Sequence, residues 1–176
     1  MHIFAPFKSP WVELGDELER YDAYPAAGLP EIPEKPRSSG APDALRGSCQ
    51  CGGIVYEVQE PFVVIHNCHC SRCRKARAAP HTTNGFVPAD RFRFVQGADL
   101  IDSYKVPEAV SFTQNFCRVC GSGMPRIRED MGMAIVPMAT LDDAPSQGPD
   151  DHIFVDYKAD WFDIVDDLPR FKEGAS

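Results

Sequence analysis

Asn67-Cys68-His69-Cys70-Ser71-Arg72-Cys73-Arg74-Lys75 puts three thiols within six residues, and two further pairs flank it, Cys49-x-Cys51 and Cys117-x-x-Cys120. These seven are all the cysteines of a 176-residue chain. An odd number cannot close completely into disulfides within one chain, so metal binding is the first reading. Zinc takes four tetrahedral ligands when structural, and three protein ligands plus an open position when it does chemistry. Seven thiolates divide accordingly into four and three.

The spacing assigns the two sets. Cys117-Arg118-Val119-Cys120-Gly121 reads as a knuckle, a tight turn bringing two sulfurs to one ion before a glycine free to adopt a left-handed conformation. Cys49-Gln50-Cys51-Gly52-Gly53 supplies the other half, because residues i and i+2 of an extended segment point the same way. Cys49, Cys51, Cys117 and Cys120 are therefore expected to form a structural zinc site that staples distant segments, its binding energy contributing to folding. Cys68, Cys70 and Cys73 form the second, open zinc site, giving two zinc ions per chain. Alternation turns His69 away from the Cys68/Cys70 face and toward a hydrogen-bonding or core role. His66 shares the parity of the two cysteines and is the better side-chain candidate for the fourth position, the alternative being solvent or substrate.

Three thiolates leave a formal charge of about −1 on a zinc centre, so bound water is acidified less than at a three-histidine site and a soft exogenous thiol suits the vacancy better. A small peptide thiol carrying carboxylates is the expected ligand. Arg72, Arg74, Lys75, Arg77 and His81 crowd the cluster, where they either contact such a substrate or balance the sulfur charge.

The remaining chain frames this centre. Lys and Arg number 18 against 26 Asp and Glu, a net −8 that argues against nucleic acid as a partner. No apolar run approaches membrane-spanning length, and the first residues have neither a basic region nor an apolar one, so no membrane partner and a cytoplasmic location are expected. Segments 54–58, 62–66, 92–95, 110–116 and 133–136 are rich in β-branched and aromatic residues between Gly, Pro and Asp breakers, which predicts a mainly β domain of antiparallel strands over residues 46–172. Residues 1–45 read as a Pro-rich extension. Ser9 and Pro10 are placed to start a short helix with Trp11, Leu14, Leu18 and Tyr21 on one face, packed on the main body or on a second subunit, so that a homo-oligomer stays open. Residues 23–46 follow as an extended strap. Trp161, Phe162 and Leu168 read as core or docking contacts of the tail or as a segment closing over the site, Asp142, Asp143, Asp150 and Asp151 as a solvated loop, and Met131, Met133 and Met138 as packing residues. No internal repeat of fixed length is evident.

At this point the sequence resembles the glutathione-dependent formaldehyde-activating family, whose domain is shared with centromere protein V. The resemblance is carried by Gly47–Gly52, Asn67–Lys75, Phe116–Ser122, His152–Val155, Trp161-Phe162 and Leu168-Pro169. It implies folded-over antiparallel sheets called a β-tent, a structural zinc on Cys49, Cys51, Cys117 and Cys120, and a catalytic zinc on Cys68, Cys70 and Cys73. The activity it implies is condensation of glutathione with formaldehyde to S-(hydroxymethyl)glutathione, the reverse of a carbon–sulfur lyase reaction. A zinc-stabilised module that binds small thiols or a protein without turnover is the alternative.

Overall fold

The computed structural model describes residues 1–25, 43–110 and 112–174. Most of the strap expected over 23–46 lies outside them. Eleven strands form three sheets among the described residues, mainly antiparallel as the sequence predicts. In the first sheet β1 (Leu45–Ser48), β2 (Val55–Val58) and β5 (Phe92–Gln96) lie in the order β1-β2-β5. The second has the order β11-β3-β4-β10-β9, from β11 (Asp151–Ile153), β3 (Val64–Cys68), β4 (Thr82–Pro88), β10 (Met133–Pro137) and β9 (Arg126–Arg128). The third orders β6 (Ile101–Lys105), β7 (Thr113–Cys117) and β8 (Gly123–Met124) in sequence. Among the strands of the described residues β11 pairs with β3 in parallel, which sets Ile153 opposite Cys68.

Burial explains the strand choice. Tyr56, Val58, Phe62, Ile65, Val87, Phe92, Ala134, Val136 and Met138 form one buried cluster between the first two sheets. Thr82-Thr83-Asn84-Gly85 looks like a turn from composition, yet it is central in the second sheet, paired with β3 on one side and β10 on the other. Gly85 is required there because an added Cβ would fall 2.6 Å from the Phe62 ring and 2.7 Å from Met138 Sδ.

Four expectations need correction. No helical turn forms over residues 9–21; the 3₁₀ turn of the N-terminal segment, Ala5–Phe7, lies before them. The Asp16 carboxylate accepts the Leu18 amide and Arg20 donates to the Leu14 and Asp16 carbonyls, side-chain bonds that satisfy the backbone in a non-helical path. Nor is the acidic run a solvated loop: Asp143 accepts the Arg46 amide, Asp142 the Ser48 hydroxyl and Asp150 the Ile65 amide, while Asp151 is buried against His66. These carboxylates pin the chain after β10 to β1 of the first sheet and β3 of the second. Trp161 is not a core contact; it is 73% exposed. Met138 is buried as expected, whereas Met131 is exposed.

Candidate active site

The first cysteine set closes the first sheet onto the third. Cys49 follows β1 and Cys117 ends β7, and both are buried beside Ile54 and Met124. The Cys117 amide donates to the Ser122 carbonyl and the Gly121 amide to the Cys117 carbonyl, with Gly121 at φ 76°, so the knuckle needs its glycine for backbone conformation. Cys49, Cys51, Cys117 and Cys120 have all four Sγ atoms within 4.8 Å of one another, Cys49 to Cys51 at 3.4 Å and Cys51 to Cys117 at 3.9 Å. Sulfurs bound at ~2.3 Å to one tetrahedral ion stand about 3.8 Å apart, so the donor set fits a closed zinc site.

The second set is built where β3 runs into α1 (Ser71–Arg77). Cys68 is the last residue of the strand, Cys70 is the N-cap of the helix with its sulfur accepting the Cys73 amide, and Cys73 lies in the first turn. Their three Sγ atoms lie within 4.8 Å of one another and no fourth His, Cys, Asp or Glu among the described residues joins the set. Hydrogen bonds with Cys68 and Cys73 hold Cys70 far below the usual thiol range, while the contact with Cys70 and burial push Cys68 up to about 11, and contacts with Cys68 and Cys70 push Cys73 further up. The lowering at Cys70 is in the direction that favours the thiolate a metal needs.

His69 takes the role alternation assigns it. It is fully buried on the far side of the strand, its amide donating to the Ile153 carbonyl. His66 stays outside the sulfur set; its Nδ1 lies 2.7 Å from Asp151 Oδ1, and the residue lines the same cavity as the three cysteines.

That cavity, about 500 Å³, runs between the second and third sheets. Arg72 and Arg77 line it, as do Arg126 and Arg128 of β9, which sequence spacing did not single out because they come from a strand over fifty residues away. Arg74 and Lys75 do not line it, since the helix turns them elsewhere. Arg77 is wedged against Gly123, where an added Cβ would fall 2.4 Å from its Nη1, and its Nε and Nη1 are buried without a hydrogen-bond partner. Thr82, Asn84, Gln114 and Asn115 add neutral polar groups, and Glu108 is the lone acid on the wall. A sulfur cluster on a wall that also carries Arg72, Arg77 and Arg126, with Arg128 already paired with Asp130, in a cleft of this size suits a small thiol bearing carboxylates.

A sequence model of the family described as glutathione-dependent formaldehyde-activating enzyme matches residues 44–157. The chain belongs to this family. A curated Halomonas elongata protein, provisionally named as a glutathione-dependent formaldehyde-activating enzyme, is 30% identical over 128 residues, covering 68% of this chain and 80% of that one. The crystal structure of a Rhodobacter sphaeroides protein aligns with a TM-score of 0.47 at 25% identity, covering 58% of this chain and 92% of the other. The family match spans all seven cysteines and ends at Tyr157, leaving the N-terminal segment outside it. No helix among the described residues is long and apolar enough to cross a membrane.

Proposed function

We propose that this chain is a zinc-dependent carbon–sulfur lyase-type enzyme acting on a glutathione-like thiol adduct, as in formation and cleavage of S-(hydroxymethyl)glutathione. The observation that carries the reading is the trio Cys68, Cys70 and Cys73, with no fourth side-chain ligand among the described residues, on the wall of a cavity lined by Arg72, Arg77, Arg126 and Arg128. A zinc ion held by the trio would supply a soft Lewis acid that keeps an exogenous thiol deprotonated as nucleophile or leaving group.

The residues around it divide the remaining work. The arginines receive the carboxylates of the peptide thiol, converting its binding energy into a fixed approach of sulfur to the aldehyde carbon. Addition of the thiolate to formaldehyde forms the carbon–sulfur bond and leaves an alkoxide that must take a proton. His66, held through Nδ1 by Asp151, is the imidazole on the cavity wall suited to deliver that proton and to take it back in the reverse direction. Cys49, Cys51, Cys117 and Cys120 would hold a second, structural zinc, tying the third sheet in place as the opposite wall.

Purified protein is tested for saturable conversion of the glutathione adduct above the spontaneous rate, with Cys73→Ser as the control. Turnover lost in that variant supports the enzyme; thiol binding without turnover would leave a binding module.

A further inference from the structure

Residues 2–21 repeat residues 152–171 at a constant spacing of 150, a single duplication rather than a period. His2-Ile3-Phe4, Lys8, Trp11, Asp16, Leu18 and Arg20 match His152-Ile153-Phe154, Lys158, Trp161, Asp166, Leu168 and Arg170, eight identities over twenty positions. The two segments also share one conformation. Phe4 and Phe154 are both left-handed, at φ 54° and 58°, and each precedes a 3₁₀ turn, Ala5–Phe7 or Val155–Tyr157. His2 Nε2 meets Asp16 Oδ1 at 2.8 Å and His152 Nε2 meets Asp166 Oδ1 at 2.9 Å. Parallel bridges join His2 to Arg20 and His152 to Arg170, and each arginine donates to the corresponding carbonyls, Leu14 and Asp16 or Ile164 and Asp166.

The two copies use opposite faces. The C-terminal copy docks by its strand edge, Ile153 beside Cys68 and His152 on His69, and leaves Trp161 73% exposed. The N-terminal copy docks by its tryptophan, Trp11 packing on the main buried cluster, while Ile3 is 37% exposed and residues 2–4 pair with no sheet strand among the described residues. The copies also touch each other at equivalent positions: a Cβ on Gly15 would fall 2.4 Å from Val165 Cγ1. Contact of a position with its own counterpart is what a two-fold axis produces. A two-fold axis through that contact would generate a second body whose core receives Trp161 and whose β3 receives Ile3.

We propose that residues 2–21 stand in, within one chain, for the C-terminal segment of a partner subunit: Trp11 fills the site that the Trp161 of a second copy would fill, and the chain is monomeric because it carries its own dimer contact. Gly15 makes the internal pairing selective, since valine on both sides would overlap at this separation.

The test uses the whole chain in sedimentation equilibrium. The unchanged chain is expected to run at its monomer mass of 19.5 kDa. Trp11→Ala removes the internal anchor, and Val165→Gly relieves the valine pair that a second copy would bring to the same contact; the double variant is expected to shift the protein to a dimer, and adding Trp161→Ala to it to return a monomer. Val165→Gly alone, which leaves Trp11 seated, is expected to stay monomeric. A dimeric unchanged chain, or a Trp11→Ala, Val165→Gly protein that stays monomeric with zinc content unchanged, would overturn the proposal.

Discussion

His152 Nδ1 lies 2.8 Å from His69 Nε2, and His152 Nε2 lies 2.9 Å from Asp166. With both rings neutral, the carboxylate fixes the tautomers: His152 donates to Asp166 through Nε2 and accepts from His69 through Nδ1. The C-terminal tail is thereby tied to the residue between two of the three clustered cysteines. His81 and Phe162 pack on His69 with ring centroids 5.1 and 6.0 Å away, forming a ring cluster behind the site.

His152→Ala removes the acceptor and leaves the buried His69 N–H unpaired. It is expected to cost about 1–3 kcal/mol in urea unfolding, and Asp166→Asn, which still offers an oxygen, less. Equal stability of His152→Ala and the unchanged protein would contradict the coupling.

Stability is expected to fall with acid before the carboxylates titrate. Burial, then the charges of His81 and His152, push His69 down to about 4, and burial lowers His81 also. As pH drops below the unfolded histidine value of about 6.5, the unfolded chain takes up protons that the folded one refuses, so the stability present above that pH is lost progressively down to the folded value. Urea midpoints at pH 7.5 and 5 should differ, and by less in His69→Asn; identical pH slopes in the two proteins would contradict the assignment.

Arg77→Ala is expected to raise the KM for the glutathione adduct roughly ten- to a hundredfold, the worth of a charge-assisted hydrogen bond, with kcat little changed. Arg74→Ala, a residue away from the cavity, should leave both constants near their starting values. Similar effects of the two would remove the cavity arginines from substrate binding.

Gly85→Ala is expected to destabilise by about 1–3 kcal/mol through overpacking against Phe62 and Met138. Thermal unfolding of the variant checks this, and an unchanged midpoint would mean that the core yields more easily than its packing suggests.

What could be read in the sequence was what is local or chemically restrictive. Cysteine spacing delivered both sulfur sets because a thiol has few other uses at such density. Strands such as Met133–Pro137 announced themselves through β-branched and aliphatic runs. Thr82–Pro88 did not, because its Asn-Gly pair imitates a turn and only the bulk of Phe62 explains the glycine. The carboxylates of Asp142, Asp143 and Asp150 passed for solvated charge, since nothing local reveals amides and hydroxyls over eighty residues away. The apolar stripe from Trp11 to Tyr21 imitated a helix, while the comparison that explains it, with residues 161–171, is a single duplication rather than a period.

The central claim is that the Cys68, Cys70 and Cys73 centre keeps a coordination position for an incoming thiol. Zinc K-edge absorption on protein loaded with two zinc ions measures it directly. Before glutathione is added the mean should be about 3.5 sulfur neighbours per zinc, rising to about 4 as the thiol binds. A mean already at 4, or one that stays at its starting value in saturating glutathione, would contradict the account.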